Sequence, residues 1–490
     1  MPFLTYRRSI QLRQTLHDTQ ATVVTPDEEG YPELLSRWSQ ASEREAGAVV
    51  IVTSSHEISL VANFATSYYI PFVVRGGGFS TTGASSTHGG IVIDMSMMRD
   101  VVVDRASQTV AVQGGATWDA VDQACAKEGL AVVGATTSAV GVGGTTLGGG
   151  FGWLTGRHGL VIDNLISVKI VLADGQIKTA SNEENQDLFW AIRGAGQGFG
   201  VVTELVFRAH PQRPSVFGGF IYLQIGQLPA VVDFANKFDA QATGDEGLFF
   251  GFTSRPHDPL STVIVALLFY NGPLSAAEAF FAPLLTLEDI QNETHEMPYP
   301  EMNASLGRFR SLGTRKSIGG ATFALPLDYR LVQEVHDDFA KFIRTYPRVE
   351  GSAVLFELIP YTHVAQIPVD ATAYANRGPY HNFLIFFCWY DQELDMKMTS
   401  IKYAMTRRLR TRAGVLDIAG EGTGIYSNYS GTTSLKPINK PITDSIAGHE
   451  GDAKELFGKN LPRLQELKKI YDPKNMFQKW HNLLIPSTAH

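Results

Sequence analysis

FVVRGGGFSTTG, residues 72–83, sets three consecutive glycines directly after an apolar run that has the composition of a β-strand. A glycine has no Cβ, so its backbone can approach a ligand closely and its N–H groups can converge on phosphate oxygens. Two further clusters, VGVGGTTLGGGFG (residues 140–152) and GAGQGFG (194–200), lie in the same part of the chain. One cluster alone is typical of a turn between crowded strands, but three favour a large phosphate-bearing cofactor.

None of the three clusters matches a common nucleotide-binding motif. The dinucleotide fingerprint GxGxxG is absent from the first two, and the third follows a predicted helix, ENQDLFWAIR, instead of a strand. The ATP-binding pattern GxxxxGK[ST] does not occur in the chain. The cofactor site is therefore expected to differ from a Rossmann fold and from a P-loop.

Composition narrows the classes of partner. A chain of 490 residues with 44% hydrophobic and 18% charged residues predicts a globular protein of two or three domains. A net charge of −8 argues against nucleic acid or an anionic membrane as the main partner. Two cysteines, Cys125 and Cys388, form no disulfide framework or metal-binding pattern, so no metal is expected. The sequence shows no secretory signal and no apolar run long enough to span a membrane, which predicts a cytoplasmic protein.

The chain up to residue 211 alternates between predicted strands and helices. GAVVIVTS (residues 47–54) and PFVVRG (71–76) are strand candidates, with Ser55 as the N-cap of a helix between them. Residues 89–115 contain three short strands that are typical of a meander, and 165–181 a hairpin that turns at Asp174-Gly175. Between these segments, TWDAVDQACAKEGL predicts an amphipathic helix.

Two further regions follow. Residues 212–420 carry longer alternating strands such as HNFLIFFCWYD, which predicts a second domain with an antiparallel sheet and helices. Residues 421–490 contain YSNYSG, a helical segment and the closing motif YDPKNMFQKWHN. The fold class predicted from these patterns is α+β.

The order of these motifs resembles the FAD-linked oxidoreductases of the vanillyl-alcohol oxidase superfamily, and the C-terminal motifs resemble the berberine-bridge-enzyme-like branch. The resemblance implies a PCMH-type FAD-binding domain of two α+β subdomains at residues 1–211. It implies a substrate-binding domain at 212–420, whose antiparallel sheet is covered by helices, and a C-terminal element at 421–490 that returns to the FAD domain. The cofactor implied is FAD.

The resemblance also assigns cofactor contacts. The loop after the strand would wrap the pyrophosphate, and the second glycine cluster would line the other side, while Val202 would meet the adenine and the YSNY segment the isoalloxazine. The residues assigned to FAD in this way are Arg75, Gly76, Gly77, Gly78, Phe79, Ser80, Thr136, Thr137, Val140, Gly141, Gly143, Gly144, Thr145, Gly150, Gly152, Val202, Asn428 and Trp480.

Two positions predict how FAD is held. Most relatives have a histidine where this chain has Phe79, and that histidine is joined covalently to the flavin. Many relatives add a second link through a cysteine at the position of Thr137. Neither side chain of this chain can form such a bond, so noncovalent FAD is expected. Cys125 lies in a predicted helix and is interpreted as a core residue.

The resemblance offers candidates for the chemistry. Val140 matches the position that gates dioxygen beside the flavin, and a valine there resembles relatives that use oxygen. Leu384 stands where plant relatives place the catalytic base, so another group must serve. The open candidates are Tyr361, His363, Glu357, Tyr374, His381, Asn382, Tyr426 and Tyr429. Tyr426 and Tyr429 are favoured because YSNY is expected to face the flavin, and His481 could stabilise negative charge near the ring or cap the terminus.

Three hypotheses about function remain open. The first is an oxidase that acts on an alcohol, amine or activated C–H of a mid-sized, aromatic or polyketide-like metabolite, uses dioxygen and releases hydrogen peroxide. The second is a non-redox cyclase or isomerase that retains FAD, which the missing covalent links and the missing base keep open. The third, a non-enzymatic FAD-binding protein, would leave the middle domain without a purpose. The sequence leaves the substrate and the oligomeric state open.

Overall fold

The computed structural model describes residues 3–255, 257–310, 312–412, 422–429 and 450–484. Within these residues the fold is α+β, as predicted, with one largely parallel sheet, two antiparallel sheets and a two-stranded ribbon. No helix in the described part of the chain is long and apolar enough to cross a membrane.

The first layer is a four-stranded sheet with three helices. Its elements are α1 (Tyr6–Thr15), β1 (Thr22–Val24), α2 (Tyr31–Leu35), β2 (Ala48–Ile51), α3 (Ser55–Ser67), β3 (Phe72–Arg75) and β4 (Ile91–Asp94). The strand order is β1-β2-β4-β3, with β4 parallel to both β2 and β3. Ser54, not the predicted Ser55, is the N-cap of α3, because its side chain and that of Glu57 form a capping box.

The second layer is a five-stranded antiparallel sheet. Its region contains β5 (Val101–Asp104), β6 (Thr109–Gln113), α4 (Trp118–Lys127), β7 (Leu130–Ala131), α5 (Val142–Leu147), α6 (Thr155–His158), β8 (Leu165–Val171), β9 (Ile177–Ser181), α7 (Gln186–Ala195), β10 (Val201–Arg208) and β11 (His210–Pro211). The strand order is β5-β6-β10-β8-β9, and β7 pairs with β11. The β8–β9 hairpin is confirmed. The predicted meander is wrong, because β4 joins the first sheet while β5 and β6 begin the second.

The third layer is an eight-stranded antiparallel sheet of order β15-β12-β14-β13-β18-β19-β17, with β16 beside β12. Its strands are β12 (Val216–Leu223), β13 (Glu246–Arg255), β14 (Asp258–Tyr270), β15 (Gln291–Asn292), β16 (His295–Met297), β17 (Arg315–Phe323), β18 (Ala353–Leu358) and β19 (His381–Trp389). The helices of this region are α8 (Leu228–Gln241), α9 (Leu274–Leu285), α10 (Tyr299–Ala304), α11 (Tyr329–Thr345), α12 (Thr362–Gln366) and α13 (Asp395–Arg412).

The two faces of the large sheet have different partners because strand side chains alternate in direction. On β19, Phe383, Ile385 and Phe387 belong to a buried cluster that includes helices α8, α9, α11 and α13. The intervening Leu384 and Phe386 point to the other face and line a cavity. The tail helices α14 (Glu450–Phe457) and α15 (Leu461–Tyr471) pack into the core that contains the five-stranded sheet.

Candidate functional site

A cavity of about 320 Å³ lies between the glycine-rich loops and the face of the eight-stranded sheet that is opposite its helices. The sheet contributes mostly apolar side chains to its wall, namely Phe249, Ile318, Ala353, Leu355, Leu384 and Phe386. The predicted cofactor residues on the wall are Gly76, Gly77, Gly78, Phe79, Ser80, Thr136, Thr137, Val140, Gly141, Gly144, Thr145, Asn428 and Trp480. Folding therefore brings together residues that are up to four hundred positions apart.

The loop after β3 and the loop before α5 touch backbone to backbone. A Cβ added at Gly77 would lie 2.6 Å from the amide nitrogen of Gly141, and one at Gly141 would lie 2.6 Å from the nitrogen of Gly77. The resemblance implies that Gly77 leaves space for phosphate oxygens. The structure shows instead that these two glycines allow the loops to approach each other.

Gly144 shows the opposite situation. It lines the cavity, and no atom lies within 4 Å of the position where its Cβ would be. The side chain missing at this position leaves open space in the cavity that the loop Gly76–Ser80 also lines, and in this loop the backbone of Gly78 has a positive φ of 70°. Space beside a glycine-rich backbone suits a bulky phosphate-bearing cofactor such as FAD, so the residues present fit that group.

Other predicted cofactor residues lie off the cavity wall. The guanidinium of Arg75 pairs with the buried carboxylate of Asp94, at the point where β3 and β4 end together. At Gly143, Gly150 and Gly152 a Cβ would meet Gly114, Val161 and Gly134 respectively, so these glycines serve close packing within the chain. Val202 is buried in β10 and pairs with Ile170.

The YSNY segment, residues 426–429, is hydrogen-bonded to the C-terminal end of α5. The Asn428 amide donates to the carbonyl of Thr145 (3.0 Å) and to the hydroxyl of Tyr426 (2.9 Å). The Ser427 hydroxyl donates to the carbonyl of Gly148 (2.8 Å), and the Asn428 side chain fills the place that a Cβ of Gly148 would need. Tyr426 and Tyr429 both line the cavity, with their rings 4.8 Å apart.

Glu357 is the acidic group of the wall. It lies near the end of β18, is 2% exposed, and accepts a hydrogen bond of 3.1 Å on Oε1 from the Tyr429 hydroxyl. Its Oε2 atom is buried and has no partner among the described residues. Burial raises the pKa of Glu357 well above its usual range, and burial likewise raises the pKa of Tyr429. The hydrogen bond joins the two groups, so a proton can pass between the Tyr429 oxygen and the Glu357 carboxyl.

No lysine, arginine or histidine is among the described residues that line the cavity. The charged group next to Tyr429 on the described wall is therefore an acid, the carboxyl of Glu357. Among the described residues no group of His, Cys, Asp or Glu side chains could hold a metal ion. The polar chemistry of this wall depends on Glu357, the two tyrosines and neutral groups.

The remaining base candidates lie away from the wall. Asn382 donates to the hydroxyl of Tyr361 (2.8 Å), and His381 on the opposite face of β19 contacts Asp239 at 3.0 Å. The Tyr374 ring packs where a Cβ of Gly149 would be, and His363 is exposed. None of these five side chains lines the cavity.

His481 lies behind Trp480, whose ring lines the cavity 4.1 Å from the imidazole. The imidazole is buried, and burial lowers its pKa to about 3, so the ring is neutral at pH 7. His481 therefore brings no positive charge to the cavity. Cys125 is buried in α4, as interpreted, and burial raises the pKa of its thiol to about 12.

One part of the wall was not anticipated from the sequence. Trp38, in the segment after α2, stacks on Phe79 with ring centres 5.2 Å apart and on Phe386 with centres 5.6 Å apart. All three rings line the cavity. The segment around Trp38 carries no recognisable motif, so only the fold could reveal this contact.

Comparison with known proteins gives a consistent result. Residues 46–181 match the family model of the FAD binding domain, and residues 448–483 match that of the berberine and berberine-like element. The FAD-linked oxidoreductase pgmH of Aspergillus terreus is 35% identical, over 96% of this chain and 94% of the relative. The FAD-linked oxidoreductase hasG of Aspergillus fumigatus is 29% identical, over 94% of this chain and 96% of the relative.

Solved structures share the fold. The 6-hydroxy-D-nicotine oxidase of Arthrobacter nicotinovorans superposes with a TM-score of 0.79 at 22% identity, over 95% of this chain and 98% of that chain. A chitooligosaccharide oxidase superposes with a TM-score of 0.77 at 19% identity, over 96% of this chain and 99% of that chain. The overall fold is thus shared with these oxidases.

Proposed function

The chain belongs to the FAD-linked oxidoreductases with a berberine-bridge-like C-terminal element, and from this premise we propose that it is an oxidase with noncovalently bound FAD. Its substrate is a mid-sized aromatic or polyketide-like metabolite of secondary metabolism that carries an oxidisable alcohol, amine or activated C–H. Dioxygen is the final electron acceptor, and hydrogen peroxide is released.

The Glu357–Tyr429 pair is the observation that carries the proposal. When bound, FAD supplies the acceptor for the hydride that leaves the substrate carbon. The Tyr429 oxygen takes the proton from the substrate hydroxyl while the Tyr429 proton passes to Oε1 of Glu357, at the 3.1 Å contact between them. The tyrosine does not need to be a phenolate, because the carboxylate receives the proton.

The surrounding wall supports the substrate class. Phe249, Leu355 and Leu384 present apolar surface beside the carboxyl, which excludes water and suits an aromatic ring. The lack of basic side chains among the described wall residues disfavours a carboxylate or phosphate substrate, since such an anion would be buried without a partner. An uncharged molecule with one hydroxyl near Glu357 fits best.

Anaerobic mixing with candidate metabolites tests the redox reaction. Loss of the visible flavin absorption on mixing, followed by its return and by peroxide formation when air is admitted, is the expected result. The second hypothesis, a non-redox cyclase or isomerase, predicts product without loss of absorption, since the Glu357–Tyr429 pair could serve proton transfer alone. Product formed under argon with the absorption unchanged would overturn the oxidase proposal.

A further inference from the structure

The rings of Trp38, Phe79 and Phe386, called here the aromatic stack, line the cavity together. Trp38 lies between the other two, with interplanar angles of 26° to Phe79 and 20° to Phe386. Phe79 comes from the loop after β3, and Phe386 from β19 of the large sheet. The stack therefore joins the glycine-rich loop to the substrate-facing sheet.

The main chain around Trp38 is fixed from both sides. Its amide donates to the carbonyl of Gly78 (3.2 Å), and its carbonyl accepts from the Lys316 ammonium (2.9 Å). The next residue, Ser39, donates to the carbonyl of Lys316 (2.7 Å) and accepts from its amide (2.8 Å). The ammonium of Lys316 also lies 5.3 Å from the centre of the Trp38 ring. Trp38 is thus held in one position, and only 7% of its surface is exposed.

The wall that the large sheet gives to the cavity changes in polarity along its strands. Along the paired strands β18 and β19, Phe386 lies opposite Ala353, Leu384 opposite Leu355, and Asn382 opposite Glu357. Four residues of strand separate the Phe386 row from the Glu357 row, about 14 Å at about 3.4 Å per residue. On the sheet side of the cavity, the stack therefore lies at the apolar end of the strands, and the carboxyl with Tyr429 lies at the other end.

The isoalloxazine ring has the same asymmetry, with an apolar dimethylbenzene edge and a polar pyrimidine edge. We propose that the aromatic stack binds the dimethylbenzene edge of FAD and holds the ring in place without a covalent bond, an inference that rests on the proposed noncovalent attachment. Phe79 contributes apolar contact to this edge, and Trp38 holds the Phe79 ring in place by stacking on it. Burial of the two ring methyl groups against the stack provides binding free energy.

The test compares ligands on the full-length chain after removal of FAD. The probes are FAD, FAD that lacks both ring methyl groups, and ADP, which carries the adenosine and diphosphate part of FAD without the isoalloxazine. We expect wild type to bind FAD roughly tenfold more tightly than the demethylated analogue, from the burial of two methyl groups. Trp38→Leu and Phe386→Leu should reduce this ratio to about twofold or less, with unchanged affinity for ADP.

Phe387→Leu is the matched control. Phe387 is the next residue on β19, but it faces the helices and stacks on Phe342 with ring centres 4.4 Å apart. This variant loses a comparable ring stack on the opposite face, so it should keep the wild-type preference for FAD over the analogue. If Trp38→Leu does not fold, Phe386→Leu decides the question alone.

The outcomes distinguish failure of the proposed role of the aromatic stack from failure of the proposed noncovalent attachment of FAD. Acid-precipitated wild type that retains its flavin refutes noncovalent attachment. Flavin that is released, together with an unchanged ligand ratio in Trp38→Leu and Phe386→Leu, refutes the stack while noncovalent attachment stands. An equal loss of FAD and ADP affinity in both variants also refutes it, because the rings would then only shape the phosphate loops.

Discussion

At residue 79 a phenyl ring stands on the cavity wall, stacked on Trp38. Phenylalanine has no nucleophilic atom, and Thr137 on the same wall has no thiol. We therefore expect acid precipitation to release all of the yellow colour into the supernatant. Phe79→His places a ring nitrogen at the cavity wall, so part of the flavin should then remain in the pellet. Colour in the wild-type pellet would contradict the prediction.

Glu357 is the residue at which the proton chemistry is expected to be most sensitive. Glu357→Gln keeps the size of the side chain but removes the proton acceptor, so the rate of anaerobic flavin reduction by substrate should fall by about 10²–10⁴. Burial raises the pKa of Glu357, so this carboxyl ionises at a higher pH than an exposed glutamate does. The carboxylate form accepts the proton, and its share increases as the pH rises through that pKa. The wild-type rate should therefore rise with pH, and the variant should lack that rise.

Tyr361→Phe is the control for Glu357. Tyr361 is a buried neighbour whose hydroxyl accepts from Asn382, and it does not line the cavity. This variant should keep the rise of rate with pH, whereas Tyr429→Phe should lose it. A Glu357→Gln protein with the wild-type rate and pH profile would show that another group accepts the proton.

Val140 is the residue at which access of dioxygen can be tested. Its side chain is partly buried on the cavity wall, and its carbonyl accepts from the amide of Trp118 at 3.1 Å, which fixes the loop. Val140→Leu adds one methylene at this position, and we expect slower return of the flavin absorption when reduced protein meets air. Reduction by substrate should change little, because Glu357 and Tyr429 are untouched. Equal reoxidation rates would count against an oxygen path at Val140.

At the scale of the elements, the two glycine-rich loops allow a prediction that compares two glycine-to-alanine variants. Gly77→Ala places a Cβ 2.6 Å from the backbone of Gly141, so the loops must separate. Such overpacking typically costs about 1–3 kcal/mol, and we expect both a lower melting temperature without FAD and loss of FAD binding. Gly144→Ala places its Cβ in open cavity, so only the affinity for FAD should fall.

Melting curves with and without FAD distinguish the two effects. In Gly144→Ala the protein without FAD should melt as wild type does, and added FAD should stabilise it less, since stabilisation follows ligand affinity. A Gly77→Ala protein that melts normally and binds FAD normally would show that the loops need not touch.

Helices and hairpins that depend on neighbouring residues could be predicted from the sequence. The sheet to which a strand belongs depends on residues far away in the chain and could not be predicted. The helix α4 after Thr117 and the β8–β9 hairpin follow from the local pattern, and both are present. Strand β4 looked like part of a meander because sequence alone does not show which sheet a strand joins. In the structure β4 lies between β2 and β3. Ile91 of β4 pairs with Ala48 of β2, which is 43 positions earlier in the chain.

For the whole molecule, the motifs near both ends of the chain predicted the α+β class and the FAD-binding region, since each glycine cluster has a recognisable composition. The substrate-facing wall carried no such signal. Glu357 is one carboxylate in AVLFEL, and only the register of β18 against β19 shows that it faces the cavity. Trp38 likewise becomes part of the site only when β17 and the loop after β3 pack on either side of its segment.

The contact between helices α4 and α10 contains the buried carboxyl of Asp122, which is the subject of the last prediction. Asp122 on α4 accepts from the side-chain amide of Asn303 on α10 at 2.8 Å, and the main-chain carbonyl of Asn303 accepts from the amide of Ser138 on the cavity loop. Burial raises the pKa of Asp122 to about 8. The folded state therefore binds a proton that the unfolded chain releases above about pH 4, the ordinary value of an aspartate.

The sign of the pH effect follows from this difference. The contribution of Asp122 to stability is complete below about pH 4 and is lost as the pH rises toward 8, where the folded protein also releases the proton. The amide of Asp122→Asn cannot titrate, and its oxygen can still accept from Asn303. We expect the melting temperature of wild type to fall more between pH 5 and 8 than that of the variant. The extra pH dependence of the wild-type stability should correspond to the release of about one proton on unfolding. Glu183→Gln, which changes an exposed carboxylate, should follow wild type. Parallel curves for wild type and Asp122→Asn would mean that Asp122 is already ionised in the folded protein at neutral pH, and that the contact with Asn303 is then a charged one.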